Sequence, residues 1–200
     1  MGKKKLLLIY LALLPIISYA KIVLPNILND NMVLQQQTSV KLWGKANPNK
    51  KVKVLPSWNE IEYSTIADAD GKWMVTVSTP KAGGPYEIRF TDGEELTLKN
   101  VLIGEVWFCS GQSNMEYFLR YDAHWNDIKK ESVREEIRMY NVPRIAYEGQ
   151  ERNLPVDGYE FVQGYPAWSV LSAPGYCCAR SLQEESGLPV GVIGGNWSGT

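Results

Sequence analysis

A serine hydroxyl can attack an acyl carbonyl when a base takes its proton and backbone N–H groups hold the charge that develops on the carbonyl oxygen. Ser113 is the residue of this chain best set for that work. It lies in VLIGEVWFCSGQSNMEYFL, residues 101–119, around which the rest of the sequence is organised. The apolar run Val106-Trp107-Phe108-Cys109 reads as a buried strand. Ser110-Gly111-Gln112-Ser113-Asn114 reads as a tight turn, and Met115-Glu116-Tyr117-Phe118-Leu119 as the start of a helix. Ser113 would then sit where a strand ends and a helix begins. Open α/β sheets bind ligands at that edge, and free N–H groups with the positive end of a helix dipole favour negative charge there. Ser is also a preferred helix cap, so a purely structural role is the competing reading. The stretch is not a G-x-S-x-G elbow, because Met115 stands where that motif needs its second glycine.

The neighbours of Ser113 have narrower roles. Its own N–H, at a helix start, can serve the oxyanion. Gln112 and Asn114 flank it and suit side-chain hydrogen bonds that hold the turn. Glu105 precedes the strand and reads as a structural ion pair or cap. The one histidine, His124, follows Ser113 by eleven residues and would face away from it beyond the first helical turns, so it reads as a surface or loop residue. The three cysteines, Cys109, Cys177 and Cys178, have no metal-ligand spacing. Cys109 reads as a small core residue, with a bridge to the Cys177-Cys178 pair as the alternative. No metal site is expected.

Positioning such a serine takes a parallel sheet. From residue 101 onward the sequence gives a strand to Cys109, a helix from about Met115 and a polar segment over 122–136. A strand over 137–142 is closed by Pro143. Residues 147–165, rich in Gly, Pro, Asp and Asn, read as an exposed loop. A helix over 171–186, with Ser172 as its cap, is stopped by Gly187-Leu188-Pro189. Val190-Gly191-Val192-Ile193-Gly194 is a further buried strand, and residues 195–200 form the loop at its C-terminal end. Strand–helix–strand order implies a parallel sheet. Residues 22–100 read differently. Strands at 40–44, 51–55, 72–77, 86–90 and 96–98, with Asn47-Pro48-Asn49, Asp70-Gly71, Gly83-Gly84-Pro85 and Asp92-Gly93 at their turns, indicate a small antiparallel sandwich. No ionisable cluster in it looks like a reaction centre.

The totals agree with a globular chain of one or two domains: 200 residues, 44% hydrophobic, 22% charged, formal net charge −1. Lys and Arg are spread along the sequence, so no nucleic-acid footprint is expected. Seven Trp and eleven Tyr are many for this length and suit either packing or sugar rings. Lys3-Lys4-Lys5, an apolar stretch over 6–17 and the small residues of Ser18-Tyr19-Ala20 read as a signal peptide over 1–20. That stretch is short for a bilayer span, so the expectation is an exported protein, periplasmic or extracellular, with no membrane insertion after cleavage near Lys21.

Gly-Glu-Val-Trp-Phe-Cys-Ser-Gly-Gln-Ser-Asn-Met-Glu, residues 104–116, closely resembles the nucleophile block of the sialate O-acetylesterase family, a branch of the SGNH-type hydrolases. Leu24-Pro25, Asn29-Asp30-Asn31-Met32-Val33-Leu34-Gln35, Asp70-Gly71-Lys72-Trp73 and Ala82-Gly83-Gly84-Pro85-Tyr86 resemble segments of the family's β-domain. The resemblance implies an α/β fold with an SGNH-hydrolase-like (flavodoxin-like) parallel sheet over 101–200, incomplete here, preceded by a small all-β sandwich domain over 21–100. It implies Ser113 as nucleophile and an acetyl-serine intermediate. The substrate would be an O-acetyl sialic acid or related acetylated glycan, with no cofactor. Trp197-Ser198-Gly199-Thr200 resembles the family's W-G-G-T segment, which puts a glycine N–H in the oxyanion hole. That role carries to Gly199, with Ser198 N–H as the alternative, since the Cβ of Ser198 restricts positive φ. The family's catalytic His and Asp come from a late D-x-H block and a further oxyanion Asn from a middle block. Neither block occurs in these 200 residues, so the expectation is the N-terminal part of a longer enzyme. The alternative is a glycan-binding or structural module without catalysis.

Overall fold

The computed structural model describes residues 21–130, 136–143 and 170–199. The expected signal peptide over 1–20, the whole Gly/Pro-rich stretch over 147–165, and Thr200 lie outside the described residues. Nine strands form in chain order among those described: β1 Val33–Gln35, β2 Ser39–Lys45, β3 Lys51–Pro56, β4 Tyr63–Ile66, β5 Lys72–Ser78, β6 Gly83–Thr91, β7 Glu95–Gly111, β8 Ile137–Asn141 and β9 Val190–Asn196. The helices are α1 Ser113–Glu116, α2 Trp125–Ile128 and α3 Ala173–Ser186, with a 3-10 turn at Leu119–Tyr121.

Alternation builds the first layer. In β5 every second residue, Trp73, Val75 and Val77, is buried, as a strand with one covered face requires. β5 pairs antiparallel with β2 to make a two-stranded sheet. The larger sheet runs β4-β3-β6-β7-β9-β8, with β1 also joined to β7. Its antiparallel part supplies Val52, Val54, Ile88, Phe90 and Leu98 to the same core as Leu42, Trp73 and Val77 of the small sheet. A second core lies on the opposite face, under α3, where Ile137, Met139, Val190 and Val192 meet Leu171, Tyr176 and Ala179.

The expected change at residue 100 falls inside one strand. β7 is 17 residues long, pairs antiparallel with β6 through its first part, and pairs parallel with β9 from Glu105 to Gly111. β1, read in the sequence only as part of a family-like opening segment, pairs parallel with β7 at Leu102–Gly104. The parallel strands stand in the order β7-β9-β8. A flavodoxin-like order puts the first strand between the second and third. Here the third, β9, is the middle one, and its glycines explain the fit. A Cβ on Gly191 would lie 2.8 Å from Val33 Cβ, one on Gly194 2.7 Å from Asn141 Oδ1, and one on Gly195 2.6 Å from the Phe108 ring.

Two expectations are corrected. The run 106–109 is not buried throughout: Trp107 is 46% exposed and Phe108 65%. α3 packs mainly over β9 and β8. The helix after Ser113 is one turn, not several, because the chain leaves it at Tyr117 with ψ 109° and pairs Phe118 with Ser172. By contrast α3 matches its reading. Ser172 caps it by accepting the Gly175 N–H at 3.2 Å, and Gly187 ends it in the left-handed conformation at φ +67°.

Because the Gly191 site faces a β-branched side chain on a paired strand, Gly191→Ala is expected to destabilise the fold by about 1–3 kcal/mol. Chemical denaturation of the two proteins measures this.

Candidate active site

Three parallel strand ends meet at one edge. Ser110 is paired with Gly195 and Gly111 with Asn196. The Ser110 hydroxyl donates to the Gly195 carbonyl at 2.8 Å, and the Trp197 N–H donates to the Gly111 carbonyl at 3.1 Å. The turn into α1 begins at Gly111, whose φ of +152° a side chain rarely adopts; a Cβ there would also sit 2.7 Å from Met115 Cγ. Gln112 occupies the cap position without a side-chain capping bond, and its carbonyl accepts the N–H groups of Met115 and Glu116, both at 3.0 Å. Ser113 is therefore the first helical residue and not the cap, which removes the competing reading in its simple form. Its side chain is exposed at the strand-end edge. Asn114 is also exposed, and makes no side-chain hydrogen bond among the described residues.

The loop after β9 is fastened to this turn. Beyond Trp197, the Ser198 N–H donates to the Glu116 carboxylate. Gly199 has φ +78°, in the region that favours glycine, with nothing near the place of a Cβ. Ser198 is not among the residues of positive φ, so its Cβ meets no conflict of the kind expected. Asn196 is only 8% exposed, which argues against Asn196-Trp197-Ser198 as a glycosylation acceptor.

Glu116 carried no signal of its own in the sequence, beyond standing three residues after Ser113 and so on the same helical face. A second unforeseen feature is a group of aromatic residues that follows it. Tyr117 and Tyr121 pack with ring centroids 6.1 Å apart and planes tilted by 54°, and the Arg120 guanidinium lies 4.7 Å from the Phe118 ring centroid and 4.8 Å from that of Tyr121. Tyr117, Tyr121 and Trp197 are all partly open to solvent, and contact with a sugar ring is chemistry they can perform.

Other singled-out residues lie elsewhere. His124 is the exposed cap of α2, and its backbone N–H is held by the Asp122 carboxylate at 2.8 Å. No hydrogen bond joins it to Ser113. Glu105 is structural, but through amides rather than an ion pair: it accepts from Gln36 Nε2 at 2.7 Å and Gln35 Nε2 at 3.3 Å. All three cysteines are free thiols, with Cys109 packed against the core under α3. Burial pushes the thiols of Cys109 and Cys177 above their usual range, with Cys178 adding to the effect at Cys109 and Asp122 at Cys177. Among the described residues no group of His, Cys, Asp and Glu could hold a metal ion, and no helix is long and apolar enough to cross a membrane.

No protein-family profile matches the chain. It is 27% identical to human sialate O-acetylesterase over 190 residues, covering 86% of this chain and 36% of the human protein. It is 26% identical to the mouse sialate O-acetylesterase over 191 residues, covering 86% of this chain and 35% of that protein. In structure it is similar to a carbohydrate acetylesterase from Xanthomonas citri, with a TM-score of 0.81 and 31% identity over 90% of this chain and 41% of that one. The chain thus spans little more than a third of the length of the curated relatives it matches.

Since alkylation follows the thiolate, raised thiol pKa values delay it to higher pH. Cys109 and Cys177 are expected to react with iodoacetamide more slowly at pH 8 than an exposed cysteine in an unstructured peptide. Mass-spectrometric labelling time courses check this. Rates equal to the peptide's at either site would contradict it.

Proposed function

We propose that this chain, a relative of the sialate O-acetylesterases, carries the nucleophile half of a serine esterase that removes acetyl groups from a sugar. The observation that carries the reading is the joining of two strand ends. An exposed Ser113 starts at the end of β7, and the glycine loop after β9 is hydrogen-bonded to the same turn. Acetyl ester hydrolysis on sugars is the activity that the names of the relatives share.

In this mechanism Ser113 Oγ attacks the acetyl carbonyl carbon as a base takes its proton. The carbonyl oxygen becomes an oxyanion, and the N–H groups of Ser113 and Gly199 hold it. Ser198 N–H is the weaker second donor, since Glu116 already occupies it. Collapse of the tetrahedral species breaks the bond to the sugar oxygen, which takes up the proton. Water then cleaves the acetyl-serine to acetate. His124, exposed at the start of α2, is a poor candidate for the base. The family resemblance assigns that role to a late D-x-H block; Asp122-Ala123-His124 has the same spacing but follows the Ser113 turn directly and is not that block. O-acetyl sialic acid or a similar acetylated glycan is the proposed substrate, and Tyr117, Tyr121 and Trp197 are available to line its ring. The signal segment makes the proposed location periplasmic or extracellular. Gln112 supports the turn through its carbonyl, and Asn114 remains free to face substrate.

In the full-length gene product, Ser113→Ala is expected to lower p-nitrophenyl acetate turnover by about 10³-fold or more. Equal rates for the two proteins would remove Ser113 as nucleophile. Gly199→Ala forces a side chain into the left-handed region, at a cost of about 1–2 kcal/mol, and shifts the loop. Its kcat is expected to fall by about 10- to 100-fold, less than the outright loss of a donor.

A further inference from the structure

We propose that Glu116 is a positioning residue for this reaction: its carboxylate clamps the loop after β9 to the nucleophile turn and so fixes where the Gly199 N–H points. The proposal rests on the reading of Ser113 as nucleophile.

The last pair that holds β9 to β7 is Gly111 with Asn196, so residues 197–199 lie past the sheet ladder. Two hydrogen bonds carry the chain beyond that point. Trp197 N–H reaches the Gly111 carbonyl, which fixes the first loop residue to backbone. Ser198 N–H reaches the Glu116 carboxylate, which fixes the second to a side chain of α1. A backbone N–H bound to a carboxylate makes a charge-assisted bond, stronger than a neutral one. Ser113 and Glu116 are i and i+3, so the nucleophile and the clamp lie on one face of one turn. Any movement of the loop relative to α1 therefore has to break this bond. Gly199 comes next along the chain, with no side chain of its own and, among the described residues, no atom within 4 Å of where a Cβ would stand. Its orientation is set through Ser198, and so through Glu116. The needed chemistry is an acceptor oxygen in one place and not a negative charge, which would oppose an oxyanion nearby. An amide of the same length should therefore serve.

The test uses the full-length gene product with p-nitrophenyl acetate, inhibition by phenylboronic acid, which forms a tetrahedral adduct on a serine nucleophile, and circular dichroism to establish folding. Glu116→Ala is expected to lower kcat by about 10- to 100-fold with KM changed less than about threefold, and to weaken boronate inhibition by a similar factor. Glu116→Gln, which keeps an acceptor for Ser198 N–H, is expected to recover both to within about fivefold of the parent. If the clamp acts through Gly199, the double variant Glu116→Ala with Gly199→Ala loses no more than the worse single one. The proposal is overturned by Glu116→Ala matching the parent, by Gln failing as fully as Ala, or by additive losses in the double variant. Should the Ala variant not fold, Gln alone decides: a loss as large as that of Gly199→Ala overturns the clamp. Ser113→Ala separates the two levels. If it stays active, the nucleophile reading fails; if it is inactive while Glu116 variants behave as the parent, only the clamp fails.

Discussion

The structure depends on the satisfaction of β7 along both of its edges. Buried backbone N–H and C=O groups must be paired, and a 17-residue strand carries many of them. β6 pairs with its first part, β1 with its middle and β9 with its last part. The strand that ends in the turn of Ser113 is thus rooted in the antiparallel half of the molecule. Its register there is fixed by alternation, since a slip of one residue would turn Leu98 and its neighbours out of the core. The position of Ser113 follows from that register, because only Gln112 separates it from the last rung of the ladder, Gly111 with Asn196.

A second tie crosses the same region. Arg138 on β8 is 2% exposed, and its guanidinium donates to the carbonyl of Asn100 and, at 3.0 Å, to the Asn100 side chain. Asn100 adopts φ +54° within β7 and donates to Asn31 at 2.8 Å. Arg138 is paired with Gly191 of β9. A buried cation needs such partners, because desolvation without them costs several kcal/mol. The glycines of β9 let Val33 of β1 and Phe108 approach.

Much of this was legible in the sequence where one local rule governed. Ser172 and Gly187 mark the ends of α3 because capping depends on a few adjacent residues. β5 shows in Lys72-Trp73-Met74-Val75-Thr76-Val77 because one face is buried and the other is not. The turn at Ser110-Gly111-Gln112-Ser113-Asn114 shows for the same local reason. What could not be read was long-range. Nothing near residue 100 says that one strand will serve two sheet geometries, and nothing in Val33-Leu34-Gln35 says that it will pair with Leu102. The order β7-β9-β8 joins strands far apart in the chain, which no local pattern encodes. The length of α1 was misjudged because Met115-Glu116-Tyr117-Phe118-Leu119 has good helix propensity, while pairing of Phe118 with Ser172 offers a tertiary alternative that propensity does not contain. Glu116 escaped notice for a related reason, since its partner lies 82 residues away.

The brevity of α1 also decides which electrostatic effect matters at the site. A helix dipole is worth about 0.3–1 kcal/mol at an exposed end, and a single turn has few aligned peptides to supply even that. One well-placed oxyanion donor is worth about 2.7–4 kcal/mol. Individual N–H groups therefore outweigh the dipole here, and what has to be controlled is their direction. Direction is set by backbone conformation, which is why φ at Gly111 and Gly199 lies in regions open to glycine. It is held by the bonds that keep two strand ends together past their last pair. A site made this way needs no long helix behind its proposed nucleophile. It needs a ladder in register and a loop that cannot drift from the turn it faces.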